Sequence, residues 1–286
     1  MKDLTPDKRQ AAWHASDLSP DAYEQLKHDL LAVDARLWTE ALQLPGTRDL
    51  TDSLLRELAA YARCDDLAAV EQRCRRAVAA VADEWRSRGV ATTDAAAVEG
   101  YYADSADYLY ELTWWHTLVD DPTPLAYVTA LRFAQEHGCQ GYLDFGSGVG
   151  VGGLLFARHG FEVWLADVGI ELLAYTRWRL AQRGLGATLV DAKTDALPTA
   201  SVDFVTALDV LEHLVDPAAA IARIDAALRP GGFVFGRFHG EDDAQRPQHI
   251  VSDFTPTFER LRALGYTEAW RDDWLWGHQV FRKPGA

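Results

Sequence analysis

Apolar residues recur at helical spacing through the N-terminal third of the chain. Ser19-Pro20-Asp21 is typical of a helix start, because it combines a capping hydroxyl, a proline in the first turn and an acid near the positive end of the helix dipole. The apolar positions that follow are Leu26, Leu30, Val33 and Leu37. Pro45-Gly46 ends the run, and we predict two further helices over about 51–62 and 66–88.

Between Thr92 and Asp121 aromatic residues replace this regular stripe. They are Tyr101, Tyr102, Tyr108, Tyr110, Trp114 and Trp115, followed by His116. A core made of all these residues would need a buried partner for every tyrosine hydroxyl, so we expect several of them to line a pocket. Asp121-Pro-Thr-Pro124 then breaks the chain before a predicted helix over about 125–137.

From Gly141 onward, segments of strand and helix pattern alternate. The predicted strands cover about 142–145, 162–166, 187–190, 203–208 and 233–238. Predicted helices cover about 150–159, 170–183, 217–228 and 256–264, and Arg229-Pro-Gly-Gly232 is predicted to be a turn. Alternating strands and helices predict a parallel sheet with helices on both faces.

The C-terminal end breaks this alternation. Two strand-like segments, 266–270 and 277–281, are too close for a parallel crossover, so they favour an antiparallel hairpin. We therefore predict an α/β fold, a Rossmann-like seven-stranded mostly parallel sheet with an antiparallel C-terminal hairpin. An N-terminal all-helical domain over 1–120 is expected to precede the α/β domain over 121–286.

Charge and cysteine content narrow the function classes. The net charge of −15 makes nucleic acid and anionic membranes unlikely partners on electrostatic grounds. The three cysteines form no CxxC pair and no histidine cluster has metal-ligand spacing, so we predict no metal site and free thiols in a reducing compartment. With a polar N-terminus and no apolar run of membrane-spanning length, the expected location is cytoplasmic.

A glycine-rich run follows the first predicted strand. Gly146, Gly148 and Gly150 permit a tight turn and a close approach of a ligand to the backbone, next to the free N–H groups of a helix start. Asp167 ends the second strand, where a carboxylate accepts hydrogen bonds from ribose hydroxyls. Together they predict a nucleoside cofactor.

A dinucleotide dehydrogenase is an alternative, because Gly148, Gly150 and Gly153 also fit the pattern G-x-G-x-x-G. Two features count against it. Asp144 stands two residues before the first glycine, which is not part of the dinucleotide fingerprint. The predicted C-terminal hairpin is not the usual ending of such an enzyme either.

Four segments resemble motifs of one family, in matching order and spacing. They are Leu143-Asp-Phe-Gly-Ser-Gly-Val-Gly150, Leu208-Asp-Val-Leu-Glu-His-Leu-Val-Asp-Pro217, Leu228-Arg-Pro-Gly-Gly232 and Gln248-His-Ile-Val-Ser-Asp-Phe-Thr255. They are similar to motifs of class I S-adenosylmethionine-dependent methyltransferases, in the branch that includes ubiquinone-biosynthesis enzymes. The resemblance covers about 141–283 and leaves out the N-terminal helices.

The resemblance implies a role for each matching residue. Contacts to the methionine part of S-adenosylmethionine are implied for Asp144, Gly146, Ser147 and Gly148, with Gly150 completing the loop. Asp167 is implied to hold the ribose and Val168 to pack on the adenine. The adenine edge is implied to meet Asp191 and Ala192, with Asp195 a rival under a second alignment. Leu208 and Asp209 are implied to lie near the reacting sulfonium.

The acceptor side is predicted from its position at the carboxyl ends of strands four and five. A base that takes the departing proton is expected to be His239, with His249 and His213 next. Arg237 is a candidate to neutralise a substrate carboxylate or phosphate, with a surface ion pair as the alternative. Tyr102, Tyr108 and Trp115 are the predicted substrate-lining aromatics.

The leading hypothesis is methyl transfer to a small-molecule acceptor, of secondary-metabolite or cofactor type. An enzyme of the same fold that catalyses cyclisation or elimination is the main alternative, because function depends on the site and not on the fold. A non-catalytic scaffold and a nicotinamide dehydrogenase rank lower. The sequence leaves a homodimer open.

Overall fold

The computed structural model describes residues 20–118, 123–240, 245–272 and 277–285. Its N-terminal part is helical, as predicted. The helices are α1 (Pro20–Leu42), α2 (Leu50–Ala62), α3 (Leu67–Arg88), α4 (Ala95–Asp104), α5 (Tyr108–Thr117) and, after a 3-10 turn at Thr123–Leu125, α6 (Ala126–Glu136). Asp49, Asp66 and Asp94 cap α2, α3 and α4 by accepting hydrogen bonds from backbone N–H groups of the first turn.

The buried face of α1 differs from the predicted stripe. Leu30 is buried as expected, but the other buried positions are Asp34, Trp38, Ala41 and Leu42. Arg132 donates to Asp34 at 3.0 Å, and the indole N–H of Trp38 donates to the carbonyl of Thr117 at 2.7 Å. Polar partners on α5 and α6 therefore rotate the inner face of α1 away from the purely apolar stripe. Ser19 and the Leu26 side chain lie outside the described residues.

A seven-stranded sheet follows the helices and confirms the predicted fold class. Its strands are β1 (Gly141–Phe145), β2 (Glu162–Asp167), β3 (Thr188–Asp191), β4 (Val202–Ala207), β5 (Leu228–Gly236), β6 (Thr267–Arg271) and β7 (Gln279–Arg282). Their order is β3-β2-β1-β4-β5-β7-β6, and the first five are parallel. β7 is antiparallel to both β5 and β6, which confirms the C-terminal hairpin.

Side chains of successive strand residues point to opposite faces of the sheet and enter two apolar clusters. On β1, Tyr142 joins one cluster, whereas Leu143 and Phe145 join the other. The first cluster includes α7 (Val151–Arg158), α8 (Ile170–Gln182) and residues of α1–α3, α5 and α6. The second includes α9 (Pro217–Ala227) and α10 (Thr255–Ala263). The sheet is thus covered by helices on both faces.

The N-terminal helices share the first apolar cluster with the sheet. Trp38, Leu54 and Val70 belong to the same cluster as Leu155 of α7 and Leu165 of β2. The helices α1–α3 therefore pack as an added layer against one face of the α/β unit. The predicted division into 1–120 and 121–286 stays a prediction, and its boundary lies outside the described residues.

The predicted turn Arg229-Pro-Gly-Gly232 is wrong in its placement, because these residues lie within β5. The pairing of β5 with β4 jumps from Leu228 opposite Val202 to Phe233 opposite Phe204. Gly231, with φ +80°, supplies the left-handed conformation in this irregular stretch. The strand also ends at Gly236, two residues before the predicted end.

Two further observations concern membrane-spanning helices and cysteines. None of the helices in the described ranges is long and apolar enough to cross a membrane. Cys64, Cys74 and Cys139 are free thiols, as predicted. The cytoplasmic location and the homodimer are not tested by the structure and stay predictions.

Candidate active site

The glycine run forms the loop between β1 and α7, as the sequence predicts. Gly146, Gly148 and Gly150 have φ values of +77°, +50° and +72°, a region that residues with a side chain rarely adopt. A Cβ atom at Gly148 would also lie 3.1 Å from the Leu112 side chain, and one at Gly146 would overlap Val210. Backbone conformation and close packing therefore both require glycine in this loop.

Asp167, at the end of β2, is fixed against the glycine loop. Its Oδ2 accepts a hydrogen bond from the Gly148 N–H at 2.7 Å, and its Oδ1 accepts one from the Gly169 N–H at 2.8 Å. Burial raises the pKa of Asp167, while these backbone hydrogen bonds oppose the rise by favouring the carboxylate. The carboxylate is thus oriented before any ligand arrives.

Asp144 lies buried behind the same loop and does not line a cavity. Its Oδ1 accepts hydrogen bonds from the Thr206 hydroxyl at 2.7 Å and, more weakly, from the Tyr127 hydroxyl at 3.4 Å. Burial raises the pKa of Asp144 to about 7. This position supports the loop from within the sheet, and the implied contact of Asp144 with a cofactor stays a prediction.

A cavity of about 320 Å³ opens in front of the glycine loop, and we call it the first cavity. Eight of the predicted cofactor residues line it: Gly146, Ser147, Gly148, Asp167, Val168, Ala192, Leu208 and Asp209. Its opposite wall comes from α4 and α5, through Val98, Tyr102, Tyr108 and Leu112. The sheet supplies one side and the N-terminal helices supply the other.

The two acids after β3 lie outside the lining of the first cavity. Asp191 accepts hydrogen bonds from the Lys193 N–H at 2.9 Å and from the Thr194 hydroxyl at 3.0 Å. Asp195 accepts a hydrogen bond from the Asp191 N–H at 3.3 Å. Both carboxylates thus stabilise the turn, and only Ala192 of this segment reaches the cavity. Gly150 is likewise absent from the lining, because its role is to begin α7.

A second cavity of about 340 Å³ adjoins the first. Residues that line both are Tyr108, Leu112, His116, Tyr127, Leu208, Asp209 and His213. The second cavity differs from the first in chemistry, because it is lined by many ionisable and polar side chains. They include Glu111, His116, Asp209, Glu212, Arg237, Arg246, Gln248, His249 and His278.

Predicted substrate residues are distributed over these cavities. Tyr108 lines both, Tyr102 lines the first, and Trp115, 38% exposed, lines the second. The Tyr102 hydroxyl lies 2.8 Å from Nδ1 of His213. Arg237 lines the second cavity with its guanidinium 3.5 Å from the Asp209 carboxylate. Arg237 is therefore in an ion pair, but an ion pair inside the cavity and not on the outer surface.

The three predicted catalytic histidines differ in their positions relative to the two cavities. His213 lines both cavities and His249 lines the second, with their rings 4.8 Å apart. His239, the first choice from the sequence, is exposed and does not line either cavity. Burial lowers the pKa of His213 to about 3, which keeps its imidazole neutral. The geometry favours His249, and the assignment of a base stays a prediction.

Two buried glutamates of the second cavity, Glu111 and Glu212, are not among the residues predicted from the sequence. Burial raises the pKa of Glu111 to about 7, and burial next to the Asp209 charge raises the pKa of Glu212 to about 8. Glu111 lies 3.9 Å from Arg246. A signal existed for Glu111, because it is an acid inside the aromatic stretch. For Glu212 the signal was its place in the segment 208–217, directly before His213. For His278, whose pKa burial lowers to about 4, the sequence held no comparable signal.

Asp209 joins the two cavities and has a strained backbone. Its φ of +50° lies in the left-handed region, which costs a residue with a side chain roughly 1 kcal/mol. Burial acts to raise the pKa of Asp209, but the neighbouring His116 and Arg237 hold it below the ordinary value. An ionised carboxylate is therefore held at the junction of the cavities.

The structure also brings together a donor set that the sequence spacing did not predict. Side-chain ligand atoms of Glu212, His213 and His249 lie within 4.8 Å of one another. One carboxylate and two imidazoles are a ligand set of divalent transition metals. Within the described part of the chain, these three residues form a group that could hold a metal, whereas no metal site was expected from the sequence.

Comparison with known proteins agrees with this geometry. Residues 143–236, which run from β1 through β5, match the family described as "Methyltransferase domain". This segment is a class I S-adenosylmethionine-dependent methyltransferase domain. The family resemblance, the fold class and the cofactor expected from the sequence are thereby confirmed for the α/β part of the chain.

Curated proteins match part of this chain. The ubiquinone biosynthesis O-methyltransferase of Vibrio cholerae is 31% identical over 131 residues, 43% of this chain and 53% of that protein. The enzyme of the same name from Sodalis glossinidius is 33% identical over 132 residues, 43% of this chain and 52% of that protein. The chain thus spans about half the length of the curated relatives it matches.

Among solved structures, the N-methyltransferase NodS from Bradyrhizobium japonicum has 20% sequence identity to this chain. The likeness covers 58% of this chain and 99% of NodS, with a TM-score of 0.48.

The first cavity of the methyltransferase domain fits the cofactor of the family. Gly146 and Gly148 line it with backbone alone, and Asp167 presents a fixed carboxylate. The buried Ser147 hydroxyl has no hydrogen-bond partner within the described part of the chain, although it lines the cavity. A ligand with polar groups at this point would satisfy it.

Proposed function

We propose that the protein is an S-adenosylmethionine-dependent methyltransferase that modifies a small molecule bound in the second cavity. The observation that carries the proposal is the junction of the two cavities. Leu208, Asp209 and His213 line both, so a cofactor in the first cavity and an acceptor in the second would meet at the end of β4. Methyl transfer is an in-line displacement, and it needs this direct approach.

The residues of the first cavity would hold the cofactor. Asp167 would accept hydrogen bonds from the ribose, Val168 would pack on the adenine, and Ser147 would contact the methionine part. When bound, S-adenosylmethionine supplies an electrophilic methyl group. The protein's contribution is orientation and the exclusion of water, for which the wall formed by α4 and α5 is suited.

The second cavity would bind and deprotonate the acceptor. Its ionisable lining favours an acceptor with polar groups, and the aromatic side chains of Tyr108, Tyr127 and Trp115 favour a planar one. His249 is our first candidate for the base, since its ring lies in the second cavity next to His213. Glu111 is the second, because a carboxyl with a pKa of about 7 exchanges protons readily at neutral pH.

The deciding experiment is incubation with S-adenosylmethionine and a panel of phenols, amines and carboxylated aromatics. Formation of S-adenosylhomocysteine together with a product heavier by one methyl group supports the proposal. Conversion of an acceptor without S-adenosylhomocysteine would contradict it. That result would favour a cyclisation or elimination, for which the buried acids Glu111 and Glu212 offer proton donors at neutral pH.

A further inference from the structure

A buried ionic cluster connects the N-terminal helices to α8, and we call it the Glu57 brace. It consists of Glu57 on α2, Arg179 on α8 and Arg183, the residue that directly follows α8. The carboxylate of Glu57 lies 3.1 Å from Arg179 and also pairs with Arg183. The side chains of Glu57 and Arg179 are 1% and 0% exposed. Loss of one partner would leave a charge buried without compensation, so the geometry is strongly constrained.

The brace reaches the glycine loop through Arg179. One guanidinium nitrogen donates to Glu57, and the other donates to the backbone carbonyl of Val149 at 2.9 Å. One turn earlier on α8, the Thr176 hydroxyl donates to the carbonyl of Gly148 at 3.3 Å. Two successive carbonyls of the loop are therefore held by α8.

These contacts fix peptide groups that glycine would otherwise leave free to rotate. The N–H of Gly148 donates to Asp167, while its carbonyl accepts from Thr176 on the opposite side. Gly148 and Val149 both line the first cavity. If a peptide group of the loop rotated, it would present a carbonyl to the ligand in place of an N–H, or the reverse. Glycine on its own offers little resistance to that rotation.

Arg183 connects the Glu57 brace to a third helix, α1. Arg183 donates to the carbonyl of Leu42, the last residue of α1. Glu57 thus joins α1, α2, α8 and the glycine loop, although it does not line either cavity. Glu57 is linked to the lining of the first cavity through Arg179, which contacts Val149.

We propose that Glu57 is a positioning residue for the cofactor. It holds Arg179, and through Arg179 it holds the Val149 carbonyl, and with it the loop, in the orientation that the methionine part of the cofactor requires. The N-terminal helices then contribute to cofactor affinity from behind the loop, in addition to forming a cavity wall. This inference goes beyond the proposed function and rests on its assignment of the cofactor.

The test compares two probes with the purified full chain by calorimetry. S-adenosylhomocysteine carries the amino-acid part, whereas 5′-methylthioadenosine lacks the α-amino and α-carboxyl groups. We expect Glu57→Gln to weaken S-adenosylhomocysteine about tenfold and 5′-methylthioadenosine less than threefold, since only the first probe depends on the loop carbonyls. Glu71→Gln is the matched control, because Glu71 pairs with Arg75 on the surface of α3, and it should change neither affinity.

A purely structural role would weaken both probes equally, and that result, or an unchanged affinity for both, would overturn the inference. If Glu57→Gln does not fold, Glu57→Asp retains the charge at a shorter reach. We then expect the affinity for S-adenosylhomocysteine to fall about threefold and that for 5′-methylthioadenosine to stay unchanged. Equal losses of affinity for the two probes would again overturn the inference. Failure of the unmodified protein to bind either probe would instead overturn the cofactor assignment, and the inference with it.

Discussion

The two cavities differ in how their residues are distributed along the chain. Most of the first cavity comes from short motifs at the ends of β1, β2 and β4, with an apolar wall from α4 and α5. The second cavity draws ionisable groups from α5, from the segment after β4 and from residues 237–278. The residues of the predicted cofactor site therefore lie in short continuous motifs, whereas those of the second cavity come from segments far apart in the sequence.

The largest effect is expected from Glu111, a buried acid of the second cavity. Because the folded state raises the pKa of Glu111 from 4.5 to about 7, its contribution to the free energy of unfolding falls as pH rises between these values. The free energy of unfolding of the unmodified protein should therefore fall between pH 5 and pH 8. In Glu111→Gln this fall should be smaller by about 2 kcal/mol. Urea denaturation at both pH values measures this change.

Asp144 and Glu212 have raised pKa values too, so part of the loss should remain in this variant. Glu71→Gln on the surface of α3 should keep the pH dependence of the unmodified protein. If the free energy of unfolding of Glu111→Gln falls as much between pH 5 and pH 8 as that of the unmodified protein, Glu111 does not titrate as a buried group.

The next effect tests the first cavity. Asp167→Ala should weaken S-adenosylhomocysteine tenfold or more, through lost charge-assisted hydrogen bonds to the ribose and a looser Gly148. Glu71→Gln is the control, because that carboxylate pairs with Arg75 on α3 and lines neither cavity. Equal affinities of Asp167→Ala and the unmodified protein in calorimetry would show that the cofactor is placed wrongly.

A third prediction separates the functions of the two cavities. His249→Gln should lower the rate of methyl transfer about tenfold through the loss of a proton acceptor, with the affinity for S-adenosylhomocysteine unchanged. His239→Gln should leave both quantities unchanged, since His239 is exposed and outside both linings. The reverse ranking in steady-state kinetics would restore His239 as the base.

The smallest effect is expected at the rim of the second cavity. Trp115 is 38% exposed and lines only that cavity, so Trp115→Ala should raise the KM of the acceptor about threefold through lost apolar contact. The KM of S-adenosylmethionine should not change. A rise in the KM of the cofactor instead would mean that the two cavities are not functionally separate.

Several features could be predicted from the amino-acid sequence alone, namely the order of strands and helices from β1 onward, the glycine loop, Asp167 and the C-terminal hairpin. These features depend on local backbone requirements, such as φ values of +50° to +77° at the loop glycines, or on short separations along the chain. The same local reasoning identified the helices α1–α3 within a residue or two at most ends, apart from the C-terminal end of α1.

Which polar groups share a cavity depends on how distant segments pack, and this could not be predicted from the sequence. Glu111 and Glu212 lie on segments about a hundred residues apart, and no periodicity indicates that both face Asp209. The inner face of α1 and the Glu57 brace likewise depend on partners in other elements, Arg132 for Asp34 and Arg179 for Glu57. Burial and long-range electrostatics arise from packing, so the sequence pattern contained the cofactor loop but not the chemistry of the acceptor site.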